Sequence, residues 1–256
     1  MSDAADAPHL RLGGITRLGL AGRGPTDAYL FDPHRLALPA WAHALGEGPP
    51  ALLVTLDRHF DLVPPTAHVP PRSSGLRTLD EFARWDLDTR NYDHVLAALE
   101  AGLLSGAVCV ARAHPRGAVT GPSWTDRHGV SHPLLSAPTV DRLADGFGTP
   151  AADPASRDAH RLLAQAGRVV LDVDLDCFTS PSDADPFTVL PWPRAVIRDF
   201  LLPPGSGPFW DAVLGKCVAL TFAREPAHCG GVLAGDALFA DAAAVLFGEL
   251  LQTDLP

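Results

Sequence analysis

Three aspartates, Asp172, Asp174 and Asp176, occupy every second place of the apolar run VVLDVDLDCF, residues 169–178. In an extended strand this spacing sends all three carboxylates to one face. Like charges so close repel, and burying even one of them unpaired is costly, so a cation is expected opposite them. A second constellation, LDRHFD, sets Asp57, His59 and Asp61 at alternate places just past the apolar run ALLVT. A third, FDPH, sets His34 just past YLF. Aspartate oxygens with histidines in the minority suit Mn²⁺ better than a thiolate-held structural zinc. Four aspartates and two histidines suffice for two divalent ions, which make bound water acidic enough to ionise near neutral pH. Each piece alone has a plainer explanation: a solvated loop, a strand end running into a turn, a histidine at a helix start. Their joint occurrence after successive strands is what argues for a metal site.

A further acidic residue stands in TFAREPAHCGG, residues 221–231. Glutamate is scarce in this chain, 5 against 25 aspartates, so composition alone does not supply Glu225 at a strand end. A carboxylate on that rim can clamp a guanidinium through two parallel charge-assisted hydrogen bonds; the plainer alternative is a surface pair with Arg224. His228 and the Gly230-Gly231 pair imply a tight loop close by. His94 or His228 could pass a proton to a leaving amine. For His94, inside a helical pattern, a merely packed histidine is the plainer reading.

The elements that must position these residues are short apolar runs alternating with helical patterns. Strands are expected at 27–31, 51–56, 107–111, 168–176 and 216–223. Helices are expected at 34–45 (interrupted by Pro39), 91–104, 156–167 and 234–252, with helical patterns also in PRAVIRDFLL and GPFWDAVLG. Segments 62–75 and 113–138 read as loops, the second long and rich in Pro, Gly, His and Ser. The strand candidates are near-continuous apolar runs, as in a parallel sheet covered on both faces. Strands alternating with helices imply βαβ units and one α/β domain over residues 1–256. In such open sheets, ligands gather at the C-terminal strand ends, which is where all the constellations lie.

Bulk properties narrow the function. A net charge of −10 argues against a general nucleic-acid binder and mildly favours cationic substrates. MSDAADAPHL does not read as a signal peptide, and no apolar run approaches the ~18 residues of a membrane span. Four cysteines without CxxC spacing read as free thiols, Cys109 and Cys217 buried, in a reducing cytoplasm.

These motifs resemble the ureohydrolase superfamily, the arginases and agmatinases, with histone deacetylases more distant in fold. Its Asp-Ala-His-x-Asp is matched by Asp57-Arg58-His59-Phe60-Asp61, and its Ser-Phe-Asp-Val-Asp by Val170-Leu171-Asp172-Val173-Asp174. PHRLALPAW, LDRHFDL, NYDHVLAALEAG, DVDLDCF and AREPAHCGG are similar to a divergent branch, the peptide arginases of ribosomal peptide pathways. The resemblance implies a three-layer αβα fold with a mainly parallel sheet. It implies two Mn²⁺ ions: one on His34, Asp57, Asp61 and Asp172, the other on His59 and Asp174 and sharing Asp57 and Asp172. Glu225 would receive a guanidinium, and Asp176 would stand behind the ligands or join them. The register Asp174/Asp176 in place of Asp172/Asp174 stays open. The substrate implied is an arginine within a precursor peptide, converted to ornithine with release of urea. After Asp61 the loop with which arginases grip free arginine's carboxylate is not recognisable, and the chain reads LVPPTAHVPP. The competing readings are a hydrolase of a small guanidino or acyl-amine compound and a non-catalytic, metal-stabilised peptide-binding protein.

Overall fold

A computed structural model describes residues 13–18, 27–113, 116–185 and 188–247. Among these, eight strands form one sheet in the spatial order β1-β2-β10-β7-β3-β4-β6-β5. The strands are β1 (Ile15–Leu18), β2 (Asp27–Phe31), β3 (Ala51–Leu56), β4 (Leu104–Val110), β5 (Ser123–Thr125), β6 (Ser131–Ala137), β7 (Val169–Asp174) and β10 (Cys217–Ala223). The six inner strands run parallel, and β1 and β5 close the edges antiparallel. A separate hairpin pairs β8 (Thr179–Pro181) with β9 (Val189–Pro191).

Alternate residues of the inner strands feed two cores. Leu52, Val54 and Leu56 of β3 and Leu171 and Val173 of β7 enter one. That core is covered by α4 (Val140–Ala144), α5 (Pro154–Gln165), α6 (Arg194–Leu201), α7 (Gly207–Leu214) and α8 (Val232–Phe247). Leu53 and Val170 enter the other, beneath α1 (Ala37–Leu45), α2 (Leu76–Trp85) and α3 (His94–Glu100). Every residue of β3 and β7 is buried, which is why these runs carry no polar alternation until their ends. The architecture is the expected three-layer, mainly parallel α/β fold. No helix among the described residues is long and apolar enough to cross a membrane.

Several boundaries differ from expectation for local reasons. Pro39 does not interrupt its helix: a 3-10 turn spans His34–Leu36, and Pro39 falls in the first turn of α1, where no intrahelical N–H bond is forfeited. The pattern at 91–104 yields only α3, because Gly102 turns the chain at φ 77° and β4 begins at Leu104. The expected loop 113–138 contains β5 and β6. Pro133 lacks the N–H of an ordinary inner strand, and Gly106 opposite makes room for it: a Cβ there would lie 2.8 Å from the Pro133 ring. β1, α2 and α4 lie outside the elements expected. The part of the 234–252 helix beyond 247, and the MSDAADAPHL segment, lie outside the described residues.

The most consequential difference is at 168–176. β7 ends at Asp174, and Leu175–Phe178 winds into a 3-10 turn that Asp174 caps by accepting the Asp176 N–H at 3.0 Å. Asp176 is therefore not the third member of an extended row.

Candidate metal centre

β2, β10, β7 and β3 are neighbours in that order, so their C-terminal ends bring four chain segments to one place. His34 arrives after β2, Asp57, His59 and Asp61 after β3, Asp174 and Asp176 at the end of β7, and Glu225 after β10. The Nδ1 atom of His34 lies 3.1 Å from an Asp174 oxygen, 3.3 Å from Asp61 and 3.6 Å from Asp57. His59 Nδ1 lies 3.2 Å from Asp176 and 3.8 Å from Asp57. Donor atoms of His34, Asp57 and Asp174 lie within 4.8 Å of one another, as do those of Asp57, His59 and Asp176. Asp57 belongs to both groups.

Asp172 belongs to neither. Its register partners on the adjoining strands are Thr55 and Thr221, and both hydroxyls donate to it, at 2.9 and 2.5 Å. The Trp41 indole donates to Thr221 at 3.0 Å, extending the chain of bonds into α1. His34 Nε2 meets the remaining side of Asp172 at 2.8 Å. An ionised carboxylate only accepts, so the hydrogen of Nε2 points at Asp172 and Nδ1 is aimed at the open cluster.

The electrostatics separate the two kinds of carboxylate. Burial pushes Asp57 and Asp174 well above the usual carboxylate range. Asp61, Asp174 and Asp176 add to this at Asp57, and Asp176 and Glu225 add to it at Asp174. At Asp172 and Asp176 burial acts in the same direction but loses. His34 and Thr221 hold Asp172 below its ordinary value, and His59 holds Asp176 below. Burial opposes the charge on His34, yet Asp172 and Asp174 overcome it and raise its pKa well above the ordinary value.

The residues present fit divalent cations. His34 Nδ1, Asp57 Oδ2 and Asp176 Oδ2 are buried without a hydrogen-bond partner, each aimed into the cluster. Unpartnered buried polar atoms of this kind are rare in folded proteins and costly. Oxygen-rich donors with two imidazoles match hard or borderline metals.

Glu225 lies beside this cluster, 8% exposed. Its Oε1 accepts the His34 N–H at 3.0 Å and the Asn91 side-chain amide, and burial raises its pKa. It does not pair with Arg224, which turns away to Asp32 at 2.8 Å and Asp236 at 2.7 Å. Among the described residues, the non-glycine positions with positive φ are Asp61 (44°), Asn91 (63°) and Glu225 (38°). All three stand at this site, where such conformations are held by surrounding contacts.

The two histidines considered for proton transfer are placed differently. His94 is fully buried, its ring 4.2 Å from that of His34 and 5.6 Å from that of Trp41. Its Nδ1 donates to the Asn91 carbonyl at 2.9 Å, and burial, with His34 beside it, brings its pKa down to about 4. His228 has a 55% exposed side chain, with Nε2 3.9 Å from Glu225 Oε2 and its ring 6.4 Å from that of His59. Thr55 and Thr221 escape a reading of the sequence, because a lone polar residue in an apolar run carries no motif; Trp41 and Asn91 stand within PHRLALPAW and NYDHVLAALEAG, but nothing in those segments singles them out.

No family model and no curated protein matches the chain. Among solved structures it is similar to proclavaminate amidino hydrolase from Streptomyces clavuligerus, at 18% identity and TM-score 0.46, over 85% of this chain and 61% of that one. It is similar to the agmatine ureohydrolase of Thermoplasma volcanium, at 14% identity and TM-score 0.39, over 86% of this chain and 63% of that one. It is similar to arginase from Bacillus cereus, at 16% identity and TM-score 0.45, over 86% of this chain and 69% of that one. The chain thus spans less than two thirds of the length of the first two.

Proposed function

We propose that this chain is a dimanganese hydrolase that converts arginine residues within a peptide to ornithine, releasing urea. The observation that carries this reading is the position of Glu225, a buried carboxylate with one oxygen open, against a cluster of unpartnered donors. One ion would be held by His34, Asp57, Asp61 and Asp174, and the other by His59, Asp57, Asp174 and Asp176. This is the open register, Asp174/Asp176. It is favoured over Asp172/Asp174 because the oxygens of Asp172 already face Thr55, Thr221 and His34. The family's Ser-Phe-Asp-Val-Asp then falls on Asp172-Val173-Asp174-Leu175-Asp176, with Asp172 in the serine's place.

Divalent cations held there would supply Lewis acidity, offsetting the clustered negative charge and lowering the pKa of water toward neutrality. Glu225 binds the guanidinium and fixes its carbon against the cluster. Water bonds through its oxygen to that carbon, the bond between the carbon and the side-chain nitrogen breaks to release urea, and the departing amine takes up a proton that the water gives up. His228, half-exposed beside Glu225, delivers that proton. His94 is sealed behind His34 and neutral near pH 7, so it packs and orients rather than exchanging protons with solvent. Asp57, shared between the two ion positions, is the residue whose loss would disturb both.

The peptide form of the substrate is supported by the segment after Asp61. LVPPTAHVPP offers no lysine or arginine for a free α-carboxylate, and Arg127 is occupied by the carbonyls of Pro65 and Ala67. The test is to incubate Mn²⁺-loaded protein with arginine-containing peptides, free arginine and agmatine, following urea and peptide mass. Ornithine-containing peptide is the expected product, lost in Asp57→Ala. Consumption of free arginine or agmatine with every peptide intact would sink the peptide reading.

A further inference from the structure

Asn91 lies outside the motifs that carry the metal donors, yet it joins three parts of the site. Its Nδ2 donates to Glu225 Oε1, 134 residues away. Its Oδ1 accepts from the Arg35 guanidinium at 3.1 Å and from the Arg35 backbone N–H at 3.4 Å. Its carbonyl accepts from His94 at 2.9 Å. The orientation of the amide follows from chemistry: turned over, it would set NH₂ against two donors and oxygen against a carboxylate. A turn accounts for an asparagine at φ 63°, since Asn91 N–H bonds Asp88 O at 2.9 Å. It does not account for a buried side chain reaching across to Glu225.

The consequence falls on Glu225. Oε1 already receives two donors, the His34 N–H and the Asn91 amide. Each carboxylate oxygen offers about two acceptor positions, so Oε1 is filled. Oε2 has no hydrogen-bond partner among the described residues, and His228 Nε2 lies 3.9 Å from it. A guanidinium entering here meets one oxygen, end-on, and not the two-oxygen fork expected from a free glutamate. The geometry points to Asn91 as the positioning residue for Glu225: its amide, with that of His34, ties down Oε1 so that Oε2 alone takes the cationic end of the substrate. This rests on the guanidinium reading above.

Two substitutions tolerate the left-handed backbone and so keep the turn, Asn91→Gly and Asn91→Asp. Gly removes the amide and leaves Glu225 with the His34 N–H. Asp keeps the size and the contact to Arg35 but sets an acceptor against Oε1, repelling Glu225. The experiment measures kcat and KM on an arginine peptide, with metal content and Tm, for wild type, both variants and both in a Glu225→Gln background. The expected order of kcat/KM is wild type, then Gly about 10-fold lower, then Asp about 100-fold lower, as for lost and reversed hydrogen bonds to a charged group. KM should rise in both, metal content should hold, Tm should fall modestly in both but in an order that does not follow kcat/KM, and in Glu225→Gln the Asp substitution should add no further loss.

A merely structural role predicts the opposite order, since Gly loses every side-chain contact. Gly worse than Asp, wild-type turnover in both, or losses that track metal or Tm would each overturn the assignment to Asn91 and leave the guanidinium reading standing. A wild type that turns over no guanidino compound would bring down that reading, and this inference with it.

Discussion

Asp172 and Asp176 stand four residues apart, both with no exposed surface, and the chain treats them oppositely. Asp172 faces two threonine hydroxyls and the His34 imidazole, all within 2.9 Å. Asp176 takes one backbone N–H, from Arg58 at 3.2 Å, and leaves Oδ2 without a hydrogen bond beside His59. The first is a finished electrostatic unit whose charge the protein itself offsets. The second is unfinished, and a cation is the partner proposed for it. A carboxylate's role in such a site follows from how many donors the fold already directs at it, not from burial or spacing in sequence.

Neutralising each carboxylate in turn should give the largest contrast. Asp176→Asn should abolish turnover and cost one of the two bound ions, read by elemental analysis. Asp172→Asn should keep both ions and lose activity by about 10- to 100-fold, as for groups that orient metal ligands. Metal loss from Asp172→Asn with retention in Asp176→Asn would reverse the assignment.

Removing the metal should expose the strain of the open group. Asp57, Asp174 and His34 bind protons more tightly folded than unfolded. Their contribution to stability is therefore full below the unfolded pKa values and is lost as pH rises through the raised folded ones. Asp172 and Asp176, whose values are lowered, titrate in more acidic solution and add nothing to this slope. Metal-stripped protein should lose Tm progressively as pH rises above the ordinary carboxylate and imidazole values, while Mn²⁺-loaded protein changes little across the same range. Parallel slopes by calorimetry would place the cations elsewhere.

The smallest effect concerns the finished group. Thr55→Val removes one of its donors without touching the cluster. It should cost about 1–3 kcal/mol in denaturant unfolding while metal content stays unchanged. A neutral result would mean that Asp172 is less dependent on its partners than the geometry implies.

Much of the site could be read without coordinates because its donors follow apolar runs at short, local spacing. Asp57-x-His59-x-Asp61 and the β7 aspartates announce themselves in this way. His34 carried little signal beyond its place after β2, and its central position came from the sheet order. β6 was hidden by Pro133, and the role of Asn91 by the 134 residues that separate it from Glu225.

What the residues determined by themselves was therefore the inventory: parallel strands from continuous apolar runs, and hard donors at their C-terminal ends. Tertiary structure decided the allocation. Strand register brought Thr55 and Thr221, 117 and 49 residues away, against Asp172 and saturated it. The 3-10 turn after Asp174 swung Asp176 toward His59. The physical reason is that spacing along a strand governs which way a side chain points, while the donors waiting for it come from other strands.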